Sequence, residues 1–186
     1  MYAQPIPVKG CRHLGEQAMS GTTIFVDWNG HHMKLTWIPY EEAPDITKVT
    51  SVHGCCFHEN KVLLVNVAGR GFNMPGGHVE NGETPEEAFH REAWEEGSVE
   101  GTIQYIGMIE VSAEENPLYD PNGKYPLIGY QLFYRMDITK CHPFSRENET
   151  TTRIWVEPTE VPFVIQEHEL ALLVLQEALE LSATVN

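Results

Sequence analysis

Residues 77–99 read Gly-His-Val-Glu-Asn-Gly-Glu-Thr-Pro-Glu-Glu-Ala-Phe-His-Arg-Glu-Ala-Trp-Glu-Glu-Gly-Ser-Val, and this stretch decides the fold. Its middle is a helix with a marked start and stop. Thr84 suits the N-cap, Pro85 the first helical position, and Glu87 completes a Thr-x-x-Glu capping box. Ala88 to Glu96 holds no helix breaker, and Gly97 stands where a left-handed C-terminal cap is expected. At about 100° per residue, Glu92, Glu95 and Glu96 share one face through i+3 and i+4 steps. Arg91 flanks them, Ala88 leaves space one turn earlier, and Phe89 and Ala93 form a neighbouring stripe able to meet a core. Three like charges near a helix C-terminus repel one another and oppose the macrodipole. Such a cluster needs bulk solvent or a cation, and its all-oxygen donor set points to Mg²⁺ or Mn²⁺.

A solvated acidic face is the plainer account of a Glu-rich helix. The approach to this helix argues against it. Pro75-Gly76-Gly77 and Asn81-Gly82 bring in backbone bare of side chains, where a polyphosphate or metal can come close, and Glu83 adds a carboxylate just before the cap.

As a pattern the stretch is Gly, five residues, Glu, seven residues, Arg-Glu, a hydrophobic, any residue, Glu-Glu, any residue, Gly, a hydrophobic. This resembles the signature of the Nudix hydrolase family, with Gly77, Glu83, Arg91, Glu92, Ala93, Glu95, Glu96 and Val99 in the matching places. It departs once, with Ser98 where the family has Gly; Gly97 beside it is the expected substitute for that turn. The resemblance implies an α+β fold, a Nudix-like α/β/α sandwich around a mixed β-sheet.

The 186 residues suffice for one domain with a substantial core. With 41% hydrophobic and 21% charged residues, the composition is that of a soluble globular chain. A formal net charge of -15 argues against nucleic acid and acidic membrane surfaces as partners. It also means that an anionic substrate needs a metal ion or a local basic residue to approach. No stretch nears the roughly 18 apolar residues of a membrane span, and no leader-like start is evident. Cys11, Cys55, Cys56 and Cys141 contain no Cys-x-x-Cys, and adjacent Cys55 and Cys56 point to opposite faces of a strand. Reduced cysteines in a cytoplasmic protein are the expectation.

Met1 to Ser20 reads as a loose arm. Thr22–Asp27 and His32–Ile38 read as strands of a hairpin turning at Asn29-Gly30, so residues 1–48 form an arm and β-hairpin extension and 49–186 the Nudix domain. Two uses of the extension stay open, covering a sheet edge or a homodimer contact, the first slightly favoured. Strands are expected over Ser51–His58, Lys61–Val67, Thr102–Val111, Leu127–Ile138 and Thr151–Glu157, and a helix over Gln166–Leu181. The polar segment Ser112–Pro126 is long for a hairpin connection, and such loops are often functional.

The resemblance implies hydrolysis of a pyrophosphate bond in a nucleoside diphosphate linked to another moiety, of the nucleotide-sugar, ADP-ribose or nucleoside triphosphate type. Glu92, Glu95 and Glu96 are the implied metal-binding face, with a backbone carbonyl of Gly76 or Gly77 as a further ligand. Glu92 is either ligand or base, and Arg91 fixes a box carboxylate through bidentate geometry. Glu83, Glu147 and Glu149 are candidates for an additional acid, Arg70 for phosphate contact, and Tyr119 and Tyr125 for stacking on a planar group or for pinning their loop. The alternatives are a non-catalytic Nudix-fold module that binds a nucleotide derivative, an isoprenyl diphosphate isomerase, and a zinc-stapled interaction protein. No box carboxylate is lost and no Cys-Glu pair stands out, so the hydrolase leads.

Overall fold

The Asn-Gly signal folds as its chemistry requires. Asn29 and Gly30 both take positive φ (57° and 89°), and Asp27 Oδ1 accepts the Gly30 N–H at 2.7 Å, joining β1 (Thr22–Trp28) to β2 (His31–Pro39). The computed structural model describes residues 21–146, 150–166 and 168–183. The expected arm over residues 1–20 therefore lies outside the described residues.

After a short 3-10 turn (Ile46–Lys48) come β3 (Val49–His58) and β4 (Lys61–Val67), joined at Glu59-Asn60, where both residues again have positive φ. Two short strands absent from the sequence expectation follow, β5 (Gly71–Asn73) and β6 (Gly76–His78). Three residues carry too little periodicity to announce a strand, and pairing alone defines these. Then come α1 (Pro85–Gly97), β7 (Val99–Ser112), β8 (Ile128–Cys141), β9 (Thr150–Val156), a single turn α2 (Val161–Val164) and α3 (Leu170–Ala183). The last helix starts four residues later than the hydrophobic pattern suggests.

The sheet runs β1-β2-β7-β8-β3-β4-β5, with β6 paired to β3 and β9 to β4. It is mixed: β3 lies parallel to β8, and the other pairs are antiparallel. The N-terminal hairpin belongs to this sheet, because β2 covers the edge of β7 from Lys34↔Ser112 to Pro39↔Gly107.

Strand alternation divides the core in two. Leu35, Trp37, Cys55, Phe57, Ile109 and Phe133 face α3 through Leu170, Ala171, Val174, Leu175 and Ala178. Val52, Cys56, Leu132, Tyr134 and Met136 face Ala88, Phe89 and Ala93 of α1. Helix, sheet and helix thus form an α/β/α sandwich. Phe89, fully buried and stacked on Tyr134 with centroids 5.3 Å apart, anchors α1; burying such a ring contributes about 1.5–3 kcal/mol.

The helix stop differs from the expectation. Gly97 remains helical, and Ser98 takes the left-handed conformation (φ 52°, ψ 47°), its N–H reaching the carbonyls of Ala93 and Trp94. Gly97 serves another purpose, since a Cβ there would come within 2.7 Å of Leu63 Cδ2 on β4. A serine in that conformation is strained by roughly 1 kcal/mol relative to glycine. Ser98→Gly should therefore raise stability by about 1 kcal/mol, read as a higher denaturant midpoint at unchanged slope; an unchanged or lower midpoint would refute the strain.

Candidate active site

The capping box forms as written: Thr84 Oγ1 accepts the Glu87 N–H at 3.2 Å, and Glu87 Oε2 accepts the Thr84 N–H at 2.8 Å. That start fixes the helix phase, and with it the acidic face. Arg91 is the hub. Its Nε and one terminal nitrogen grip Glu83 at 2.7 and 3.0 Å, the bidentate pairing expected of arginine. The other terminal nitrogen donates to Glu92 at 2.8 Å and Glu95 at 3.2 Å, and Arg91 also reaches the His78 carbonyl at 3.0 Å. Hydrogen bonding from Arg91 holds the Glu83 carboxyl below its usual range, and the same contacts hold Arg91 firmly protonated. Burial raises Glu92, against the opposing pull of Arg91.

Glu92 and Glu96 both reach the glycine strand β6. Glu92 lies against Gly77 so closely that a Cβ on that residue would overlap its carboxylate. Glu96, 7% exposed, accepts the Gly76 N–H at 2.9 Å. This close approach is the physical reason for glycine at the start of the motif. Glu95 is more exposed and held through Arg91. The three carboxylates do not converge into one nest: among the described residues no group of three His, Cys, Asp or Glu is placed to hold a metal ion. Arg91 draws Glu92 and Glu95 to itself, while Glu96 is held at the glycine strand. The donor set still fits a hard divalent cation by type, with carboxylate oxygens of Glu92 and Glu96 beside the bare backbone of Gly76-Gly77.

On the other side of β6 opens a cleft of about 690 Å³. Arg70, Tyr119 and Tyr125, expected in a substrate site, all line it, as does Gly77, expected as a metal ligand. Tyr125 O–H and His78 Nε2 are 3.1 Å apart, and Lys124 lies 5.1 Å from the Tyr125 ring centroid. Tyr125 therefore both borders the cleft and pins its loop. Glu147 and Glu149 lie outside the described residues.

Several lining residues were not foreseen. His53 stacks on Phe133, its Nε2 is 3.1 Å from Ser51 Oγ, and burial with nearby His78, Arg70 and His168 pushes its pKa down to about 4. Trp28, His31 and Met33 come from the N-terminal hairpin, and Gln131 from β8. Period-2 alternation could have put His53, Gln131 and Phe133 on one face, but nothing local shows where that face is left uncovered. Arg153 of β9 was missed too. It donates to the carbonyls of Gly97 (2.6 Å) and Ser98 (3.3 Å), a cation at the acidic end of α1 supplied by a distant strand.

A mixed sheet between helices, with an Arg-centred glutamate cluster against a glycine strand, defines a class. The family model described as NUDIX domain matches residues 47–174, and the chain belongs to that family. No curated protein matches the chain in sequence. Among solved structures it is similar to the pyrophosphohydrolase BsRppH of Bacillus subtilis, with a TM-score of 0.64 at 21% identity over 90% of this chain and 100% of that one. It is also similar to an ADP-ribose pyrophosphatase of Streptococcus suis (TM-score 0.52, 15% identity, 73% and 92% covered). The NUDIX domain of Shewanella oneidensis NrtR complexed with ADP ribose gives 0.55 at 18% identity, with 73% and 88% covered. Coverage of 90% exceeds the part of the chain after residue 46, so the fold shared with the Bacillus protein extends into the N-terminal hairpin. Among the described residues no helix is long and apolar enough to cross a membrane.

Proposed function

We propose that this chain is a metal-dependent pyrophosphohydrolase acting on a nucleoside diphosphate linked to another moiety. The observation that carries the reading is the meeting at Gly76-Gly77 of two α1 carboxylates on one side and the cleft on the other. Family membership and the names of the similar structures support it. Substrates of the ADP-ribose, nucleotide-sugar or nucleoside triphosphate type all present the required linkage, and Mg²⁺ or Mn²⁺ is the proposed ion.

When bound, such an ion supplies charge neutralisation at the phosphates and a lowered pKa for attacking water. The chain's own residues do the rest. Glu92 and Glu96 provide carboxylate oxygens at the glycine strand, with Glu95 as a further proposed ligand, and Glu92 is the proposed acceptor of a proton from water. Arg91 sets the position of Glu92 and Glu95 while Glu83 holds Arg91 in place. Gly77 leaves its backbone open to ion and substrate, and Arg70 in the cleft draws the anionic phosphates into a protein of net charge -15. Tyr119 and Tyr125 offer flat surfaces to the remainder of the substrate. The division near residue 48 is part of this proposal, with the hairpin serving as a wall of the cleft. A cytoplasmic setting is part of this proposal.

One observation favours a second reading, that of a nucleotide-binding module. Arg91 ties down Glu92 and Glu95 and the Gly76 N–H holds Glu96, so among the described residues the three carboxylates do not meet at one point. Phosphate release through a coupled phosphatase separates the two. The hydrolase reading expects release from at least one of ADP-ribose, nucleotide sugars and nucleoside triphosphates with Mg²⁺ or Mn²⁺, abolished by EDTA and restored by the ion. Folded protein that binds these compounds and releases no phosphate would move the assignment to the module.

A further inference from the structure

We infer that Gln131 reads the edge of a nucleobase on the floor of the cleft, making it a specificity determinant of the proposed reaction. The inference rests on the reading of the cleft as a substrate site. Several polar side chains that line the cleft with Gln131 already have protein partners. Asn116 spends its amide on His31 (3.1 Å) and on the Leu118 N–H (3.1 Å), Ser51 meets His53, and His78 meets Tyr125. Gln131 is half-buried, lines the cleft, and makes no side-chain hydrogen bond among the described residues. A half-buried amide with donor and acceptor side by side gains most from a ligand edge with the complementary pair, which every nucleobase carries.

The surroundings suit a flat occupant. Gln131 alternates with Leu132, so it shares the face of Phe133, on which the His53 ring stacks, and Trp28 and Tyr119 border the same cleft. The spacing suits a nucleotide. Ser51 of β3 pairs with Gln131 on one side and His78 of β6 on the other. Gln131 thus stands two strand spacings, about 10 Å, from the strand reached by Glu92 and Glu96, room for a ribose between base edge and first phosphate.

The wild type and Gln131→Leu are compared in kcat/KM for the four ribonucleoside triphosphates against inorganic tripolyphosphate, with Mg²⁺. Gln131→Glu, which keeps size but loses the donor, serves as a second variant, and thermal melting verifies folding of both. The preference for at least one nucleotide over tripolyphosphate should fall by about tenfold or more in both variants, with the loss in KM and not in kcat. An unchanged preference overturns the inference, as does a loss confined to kcat. If the wild type hydrolyses none of these compounds, calorimetry with ADP, GDP, CDP and UDP against pyrophosphate reads the base site alone. A preference for one diphosphate that drops about tenfold in the variants upholds the inference whatever becomes of the hydrolase reading. Equal affinity for pyrophosphate and all four diphosphates, or a preference the variants retain, rejects it.

Discussion

Glu92→Gln should lower kcat/KM on a confirmed substrate by at least about a hundredfold, the low end for loss of a general base, while melting stays near the wild-type value. The carboxamide keeps the shape that rests on Gly77 but carries no charge and takes no proton from water. Its remaining carbonyl oxygen still accepts the Arg91 hydrogen bond, so Arg91 is not released and the network with Glu83 survives. Loss of turnover without loss of fold is therefore the specific outcome. Near wild-type turnover would remove Glu92 from the mechanism. Collapse of the fold would show instead that its role is structural.

Gly77→Ala is expected to have a comparable effect on turnover with every ionisable group intact. The added methyl would occupy the position of the Glu92 carboxylate. Gly77 has no positive φ to defend, so backbone conformation is not at issue. The carboxylate must swing away or α1 must lift from β6, and either movement separates Glu92 from the glycine strand. The clashing atoms are the far end of the Glu92 side chain, so the shift costs little stability, and the expected effect is a fall in kcat/KM of about a hundredfold. An alanine variant with full activity would mean that the close contact between Glu92 and Gly77 is not needed for the chemistry.

Much of this was legible where the chain speaks locally. The Asn29-Gly30 hairpin, the Thr84–Glu87 capping box and the opposed faces of Cys55 and Cys56 all follow from turn chemistry and periodicity. The helix stop was misread by one residue. A glycine suggested left-handed backbone, whereas Gly97 is needed for contact with Leu63 and Ser98 takes the strained conformation. Helical geometry put Glu92, Glu95 and Glu96 on one face but could not foresee how Arg91 divides them. That depends on Glu83 arriving from the preceding turn. The cleft floor was silent for a similar reason. His53 and Gln131 become neighbours only because β3 lies parallel to β8, a long-range pairing that no local signal announces.

The most direct test of the central claim is hydrolysis in oxygen-labelled water, followed by phosphorus NMR and mass spectrometry of the products. The substrate would be the compound that releases phosphate most rapidly with Mg²⁺ or Mn²⁺. Cleavage at the pyrophosphate linkage puts the label on a product phosphate and leaves sugar and base unlabelled. Label on a sugar carbon, or none in any product, would contradict a pyrophosphohydrolase built around Glu92, Glu96 and the Gly76-Gly77 strand.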